Sequence, residues 1–167
     1  MSGRSPKPEE HRFLVDRMLG PLVRYLRFLG YDTTAATELG PGGPGEDTRL
    51  LRIAADERRI LLTRDRELSR RGGVLVSGGN VIDQVAALTR AGLVEPVLRL
   101  DRCSLCNTPL RSATEAEVGT VSFAMWQDGC RYLWCPACYR LYWSGSHVDR
   151  LSERLDQVAR MARSPPG

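Results

Sequence analysis

Residues 12–32 read RFLVDRMLGPLVRYLRFLGYD, and this stretch constrains the chain more than any other. A short apolar run, Phe13-Leu14-Val15, stops at the carboxylate of Asp16, and the chain turns at Gly20-Pro21 into an amphipathic segment that ends at Gly30. Proline is tolerated in the first helical turn, so the helix starts near Pro21. Leu19, Leu22, Val23, Leu26 and Leu29 follow the three-and-four spacing of a buried helical face. The pattern predicts a buried strand feeding a helix, with an acid at the carboxyl end of the strand. In an open α/β sheet that is where ligands bind. Asp16 is either a metal ligand or a cap of the turn. Arg17 and Arg24 fall on the opposite side of the helix and Arg27 on its flank, as a solvated outer face would place them. Arg17 also adjoins Asp16 and can lean towards the same site.

The pattern then repeats. Tyr31 to Ala35 reads as a second strand, and the Gly- and Pro-rich Leu39 to Gly45 as a loop. Glu46-Asp47-Thr48 opens a helix whose apolar positions are Leu50, Leu51, Ile53 and Ala54. Taken alone, Asp47 is explained by its favourable place at a helix start. Ile60 to Thr63 is a third strand that again ends beside an acid, Asp65, with Glu67 two residues on. Val74 to Val76 forms a fourth strand. Asn80 caps a helix through Val81, Val85, Leu88 and Leu93, with Asp83 in its first turn, and Val97 to Leu100 is a candidate fifth strand. Strands alternating with helices imply an α/β fold with an open, mostly parallel sheet.

Asp16, Asp47 and Asp65 therefore occupy equivalent points along one edge of the expected sheet. Clustered carboxylates repel one another and call for a cation. Mg²⁺ and Mn²⁺ are hard ions that prefer oxygen ligands. Such ions can align a water and stabilise both the attacking and the leaving oxygen of a phosphodiester.

After Asp101 the composition changes. Two CxxC pairs, Cys103/Cys106 and Cys135/Cys138, enclose 28 residues with the look of a small β-hairpin region. In a chain without a secretory signal this pattern reads as zinc rather than disulfides. Four protein ligands leave no open position, so the zinc is expected to be structural. Cys130 is left over as a small core residue, and His147 is expected to make a structural hydrogen bond. Trp126, Trp134, Tyr139, Tyr142 and Trp143 crowd the region, to pack around the ribbon or, for one or two of them, to stack on unpaired bases. Val148, Leu151, Leu155 and Val158 mark a closing helix.

Together FLVDRMLGPLVRYLRFLGYD, RILLTRDREL, RCSLCNTPL and YWSGSH resemble the Mut-seven C-terminal ribonuclease domain family, in the right order from Phe13 to His147. The resemblance implies a PIN-like nuclease fold followed by a zinc ribbon, and divalent-metal-dependent cleavage of RNA. The family's acidic positions match Asp16, Asp47 and Asp65, with Glu46-Asp47 standing where the family usually shows two adjacent acids. Asp16 and Asp65 are expected to ligate the ion, and Asp47 to ligate it or orient the attacking water. PIN-like sites generally use a fourth acid, for which Glu67 is the first candidate and Asp83 the second. Arg17, Arg64 and Arg66 are candidates for holding the phosphate, and Thr63 for a hydrogen bond near the site. The expected divisions are a disordered tail over 1–11, the PIN-like domain over 12–100, the ribbon over 101–147, and a helix with a flexible end over 148–167.

The charge is compatible with this reading. Net charge is +4 and Lys7 is the only lysine among 24 basic residues, so the excess is arginine. Arginine's planar fork suits phosphate, although a codon bias explains the preference equally well. No apolar run approaches the roughly 20 residues of a membrane span, and the start lacks a signal-peptide pattern, which makes the cytoplasm the default. The expected partner is RNA, single-stranded, with no membrane. The alternatives are a non-catalytic RNA-binding adaptor and a DNA nuclease using the same metal site.

Overall fold

Phe13, Leu14 and Val15 are wholly buried on a strand with neighbours on both sides. In a computed structural model describing residues 10–121 and 129–164, this strand, β1 (Arg12–Val15), is central to a parallel sheet. It leads through a 3-10 turn (Arg17–Leu19) into α1 (Gly20–Phe28), then β2 (Asp32–Ala35), α2 (Glu46–Asp56), β3 (Ile60–Thr63), α3 (Arg66–Arg70), β4 (Val74–Leu75) and α4 (Val81–Arg90). The strand order is β2-β1-β3-β4, and every pairing is parallel.

Because strand side chains alternate between faces, the apolar run of β1 feeds two cores. Phe13 and Val15 join Leu62 in packing against Leu22 and Leu26 of α1 and Val85 and Leu88 of α4. Leu14 and Leu61 face Leu50 and Ala54 of α2 and Leu68 of α3. The five leucine and valine positions expected to form the inner face of α1 are all buried. Gly30, at φ +89°, ends that helix, and the N–H of Tyr31 turns back to the carbonyl of Leu26 at 3.0 Å.

Val97 to Leu100 is not a fifth strand. The N–H groups of Arg99 and Leu100 both donate to the carbonyl of Phe28, at 3.0 and 3.2 Å, and Leu100 adopts φ +54°. The segment satisfies the end of α1 instead of pairing with a sheet edge, and a left-handed residue interrupts the extended run that pairing requires.

Beyond it lies a three-stranded antiparallel sheet, β5 (Arg111–Ser112), β6 (Tyr132–Trp134) and β7 (Leu141–Trp143), with a short α5 (Glu115–Gly119) between the first two strands. The closing helix, α6 (Ser146–Arg163), buries Leu155 and Val158 in the core beside α4. Among the described residues no helix is long and apolar enough to cross a membrane. The N-terminal residues 1–9, Trp126, the side chain of His147 and the closing residues 165–167 lie outside what is described.

Candidate functional site

Asp16 does not cap its turn: it precedes the 3-10 turn without any side-chain bond to it. Its Oδ2 instead accepts a hydrogen bond from the hydroxyl of Thr63 at 2.7 Å. The same Thr63 oxygen accepts the backbone N–H of Asp65 at 2.9 Å. Thr63 is wholly buried at the end of β3, next to β1, so one hydroxyl ties the carboxyl ends of two adjacent parallel strands together. Asp65 caps α3, its Oδ1 accepting from the N–H groups of Glu67 and Leu68 at 2.7 and 3.0 Å. Among the described residues Asp16 Oδ1 and Asp65 Oδ2 have no protein hydrogen bond.

The chain leaves β1 for β2 on one side of the sheet and reaches β3 and β4 on the other. The crevice between β1 and β3 is thus the point where the direction of winding changes, the usual ligand position in such sheets.

The other expected residues surround this pair with different commitments. Asp47, in the first turn of α2, lies 3.9 Å from Arg71, which also donates to the Thr48 hydroxyl at 2.7 Å. Glu46 pairs with Arg17 at 2.8 Å, and Arg17 further donates to the carbonyls of Ala36 and Gly40. Gly42 permits that packing, because a Cβ there would meet Glu46 Oε2 at 2.9 Å and Arg17 Nε at 3.0 Å. Glu67 is exposed and 3.5 Å from Arg70. Arg64 and Arg66 are exposed and make no ion pair among the described residues. Asp83 accepts from the Asn80 amide at 2.8 Å at the start of α4. Asp16, Asp47 and Asp65 do not approach one another as the cysteines do, since a helix start holds Asp65 and Asp47 leans towards Arg71.

The cysteines form the tightest potential metal-binding group among the described residues. The four Sγ atoms of Cys103, Cys106, Cys135 and Cys138 all lie within 4.8 Å of one another. Cys103 approaches Cys138, and Cys106 approaches Cys135, at 3.4 Å each. Bonds of about 2.3 Å to a tetrahedral zinc require sulfur separations of about 3.8 Å, so the set fits that ion with small adjustment. Burial and the neighbouring sulfurs push the Cys138 thiol well above its ordinary value. At Cys106 hydrogen bonds with Thr108 outweigh burial and bring the thiol down to about 6. A crowded donor set of this kind is relieved by a thiophilic cation.

Both CxxC turns share one backbone design. The N–H of Asn107 returns to the Cys103 carbonyl at 3.0 Å, and that of Tyr139 to the Cys135 carbonyl at 2.9 Å. Asn107 and Tyr139 both adopt left-handed backbone, φ +65° and +57°.

Residues 11–155 match the Mut7-C RNAse domain. The chain belongs to that family. No curated protein and no solved structure matches it. Membership associates the Mut7-C chain with ribonucleases, and its four cysteines can hold zinc.

The junction between the Mut7-C sheet and the ribbon was not foreseen in the sequence. Arg27, expected on a solvated flank, is 2% exposed. Its guanidinium donates to the Thr33 carbonyl, to the carbonyls of Ser104 and Leu105 in the first CxxC turn, and to both oxygens of Glu38. Asn107 accepts the Thr33 N–H at 3.1 Å and donates to Asp32 at 2.8 Å, so the first cysteine turn covers the free edge of β2. The Tyr142 hydroxyl lies 3.1 Å from Cys103 Sγ, and burial and that thiol raise it to about 12. The available signal was the asparagine after the second cysteine, a residue type that tolerates left-handed backbone. No periodicity marks Arg27 as buried.

Proposed function

We propose that this chain hydrolyses phosphodiester bonds of single-stranded RNA using Mg²⁺ or Mn²⁺ held by Asp16 and Asp65, with Asp47 as a further ligand or as the group that orients the attacking water. The observation that carries this proposal is the Asp16–Thr63–Asp65 link at the switch point of the sheet. Among the described residues each aspartate keeps one oxygen clear of protein hydrogen bonds, as a hard cation requires.

A divalent ion bound at this edge supplies charge stabilisation to the attacking and leaving oxygens. The chain's own residues do the positioning. Thr63 holds the Asp16 carboxylate from one side, and the α3 amides fix Asp65 by its other oxygen. Arg64 and Arg66, flanking Asp65 and exposed, meet the phosphate. Arg17 is committed to Glu46 and acts by holding the loop before α2 against the site. Glu67 is the fourth acid, reached by release from Arg70, which an exposed pair concedes readily. The zinc is structural. The protein works in the cytoplasm, where thiolates stay reduced and available to zinc.

The test is incubation of zinc-loaded protein with labelled single-stranded RNA or DNA, with Mg²⁺, Mn²⁺ or neither, beside Asp65→Asn. Asparagine caps helices as well as aspartate does, so the fold is retained. Cleavage of RNA is expected to fall by about 100-fold or more, the scale of several kcal/mol of lost stabilisation. Undiminished cleavage by the variant would sink the assignment. RNA binding without cleavage by the native chain would favour an adaptor.

A further inference from the structure

Tyr139 occupies a position where its backbone conformation and its side chain are at odds. The second cysteine turn requires left-handed backbone after its last cysteine, a conformation bulky residues rarely adopt. The first turn meets the same requirement with Asn107. A tyrosine in this place is therefore present for its ring, yet the residue is 74% exposed and contributes little to the core. The ring stands edge-on to the buried Trp134, with centroids 6.3 Å apart and planes at 60°. It is braced from behind and open to solvent.

Beside it runs a cleft of about 270 Å³ between the ribbon and α1, whose lining includes Arg24, Ser104, Tyr139, Arg140, Tyr142 and Trp143. No acid lines it. Arg24 and Arg140 are exposed, and neither makes an ion pair among the described residues. Most of the other arginines near the ribbon and β2 are neutralised, Arg27 by Glu38, Arg59 by Asp32 and Arg111 by Glu117. The cleft thus combines an exposed aromatic residue with two guanidinium groups that no described acid compensates. That is the chemistry of a single-stranded nucleic-acid groove, where bases stack and phosphates pair with arginine.

We infer that this cleft is a second RNA-contacting surface, in which Tyr139 stacks on an unpaired base while Arg24 and Arg140 hold the flanking phosphates. Choosing RNA as the occupant rests on the hydrolase reading above. Arg24 lies on α1, the helix that follows the 3-10 turn after Asp16.

The experiment measures binding of a labelled single-stranded oligouridylate to the full zinc-loaded chain by fluorescence anisotropy, without Mg²⁺ or Mn²⁺ so that nothing is cut. Tyr139→Asn copies the first turn, keeps the left-handed backbone and removes the ring. It is expected to weaken binding about tenfold. Arg24→Gln with Arg140→Gln should lower the slope of log affinity against log salt by about 1.4, the share of two phosphates on a single strand. Zinc content and melting temperature, unchanged in both, show that the ribbon is intact. Binding unchanged in both variants would overturn the proposal, as would an equal loss for duplex RNA, whose bases cannot reach the ring. Tyr139-dependent binding by a chain that cuts nothing would keep this surface and discard the hydrolase reading. Cleavage abolished by Asp65→Asn with binding indifferent to Tyr139 would do the reverse.

Discussion

The hydroxyl of Thr63 donates to Asp16 Oδ2 at 2.7 Å while its oxygen accepts the N–H of Asp65 at 2.9 Å. Thr63→Val preserves shape and strand preference but removes both bonds. It is expected to destabilise the fold by about 1–2 kcal/mol, because a half-buried carboxylate oxygen and an amide lose their partner. RNA cleavage should fall through kcat while KM changes little, and Thr63→Ser should restore it. Denaturant melts and steady-state kinetics on the three proteins check this. Equal kcat in all three would show that the hydroxyl plays no part in positioning Asp16.

Arg27 is the strut between α1 and the ribbon. Arg27→Met leaves Glu38 without its guanidinium and strands the carbonyls of Thr33, Ser104 and Leu105. The expected cost is about 3 kcal/mol, at the low end for a broken buried pair because Glu38 is partly exposed. Urea denaturation gives the number directly. A loss below about 1 kcal/mol, the scale of a surface pair, would mean that water replaces the strut.

Asp32 is expected to contribute to acid stability. Burial raises its carboxyl, but hydrogen bonds from Arg59, Asn107 and Arg12 outweigh burial and hold it well below the usual carboxylate range. The folded chain therefore takes up this proton only at lower pH than the unfolded chain. Its stabilisation is fully present above about pH 4, the unfolded value, and is lost as the pH falls below that. Asp32→Asn should lower stability at pH 7 and flatten the acid limb of a melting-temperature profile. An acid limb identical to that of the native chain would count against this account.

The first cysteine turn meets the parallel sheet through Asn107. Removing the metal should release the first cysteine turn and uncover the Thr33 N–H that Asn107 accepts at 3.1 Å. Hydrogen exchange at Thr33 is expected to quicken on chelation. Asn107→Gly retains the left-handed backbone without the side chain, so it should bind zinc yet show the same faster exchange. Slow exchange in that variant would mean that the edge of β2 is protected some other way.

Much of the scaffold could be read from local pattern. The apolar run Phe13 to Val15, the leucine face of α1, the cap at Asn80 and the two CxxC pairs each depend on residues close in sequence, and each is formed as expected. Val97 to Leu100 looked equally strand-like and is not, because the carbonyl of Phe28, far away in sequence, takes its N–H groups. Asp16, open in the sequence between turn cap and metal ligand, caps nothing, whereas Asp65, expected as a ligand, also caps a helix.

Hydrophobic periodicity and ligand spacing, both short-range properties, were enough to determine an α/β scaffold with a four-cysteine ribbon. The tertiary structure decided how those parts meet: that Thr63 joins Asp16 to Asp65, that Arg27 is buried against the ribbon, and that Asn107 covers β2. Those contacts depend on which polar groups the packed chain brings within hydrogen-bonding distance. No repeat in the sequence encodes that, since a lone arginine or threonine reads the same whether it ends in solvent or in the core.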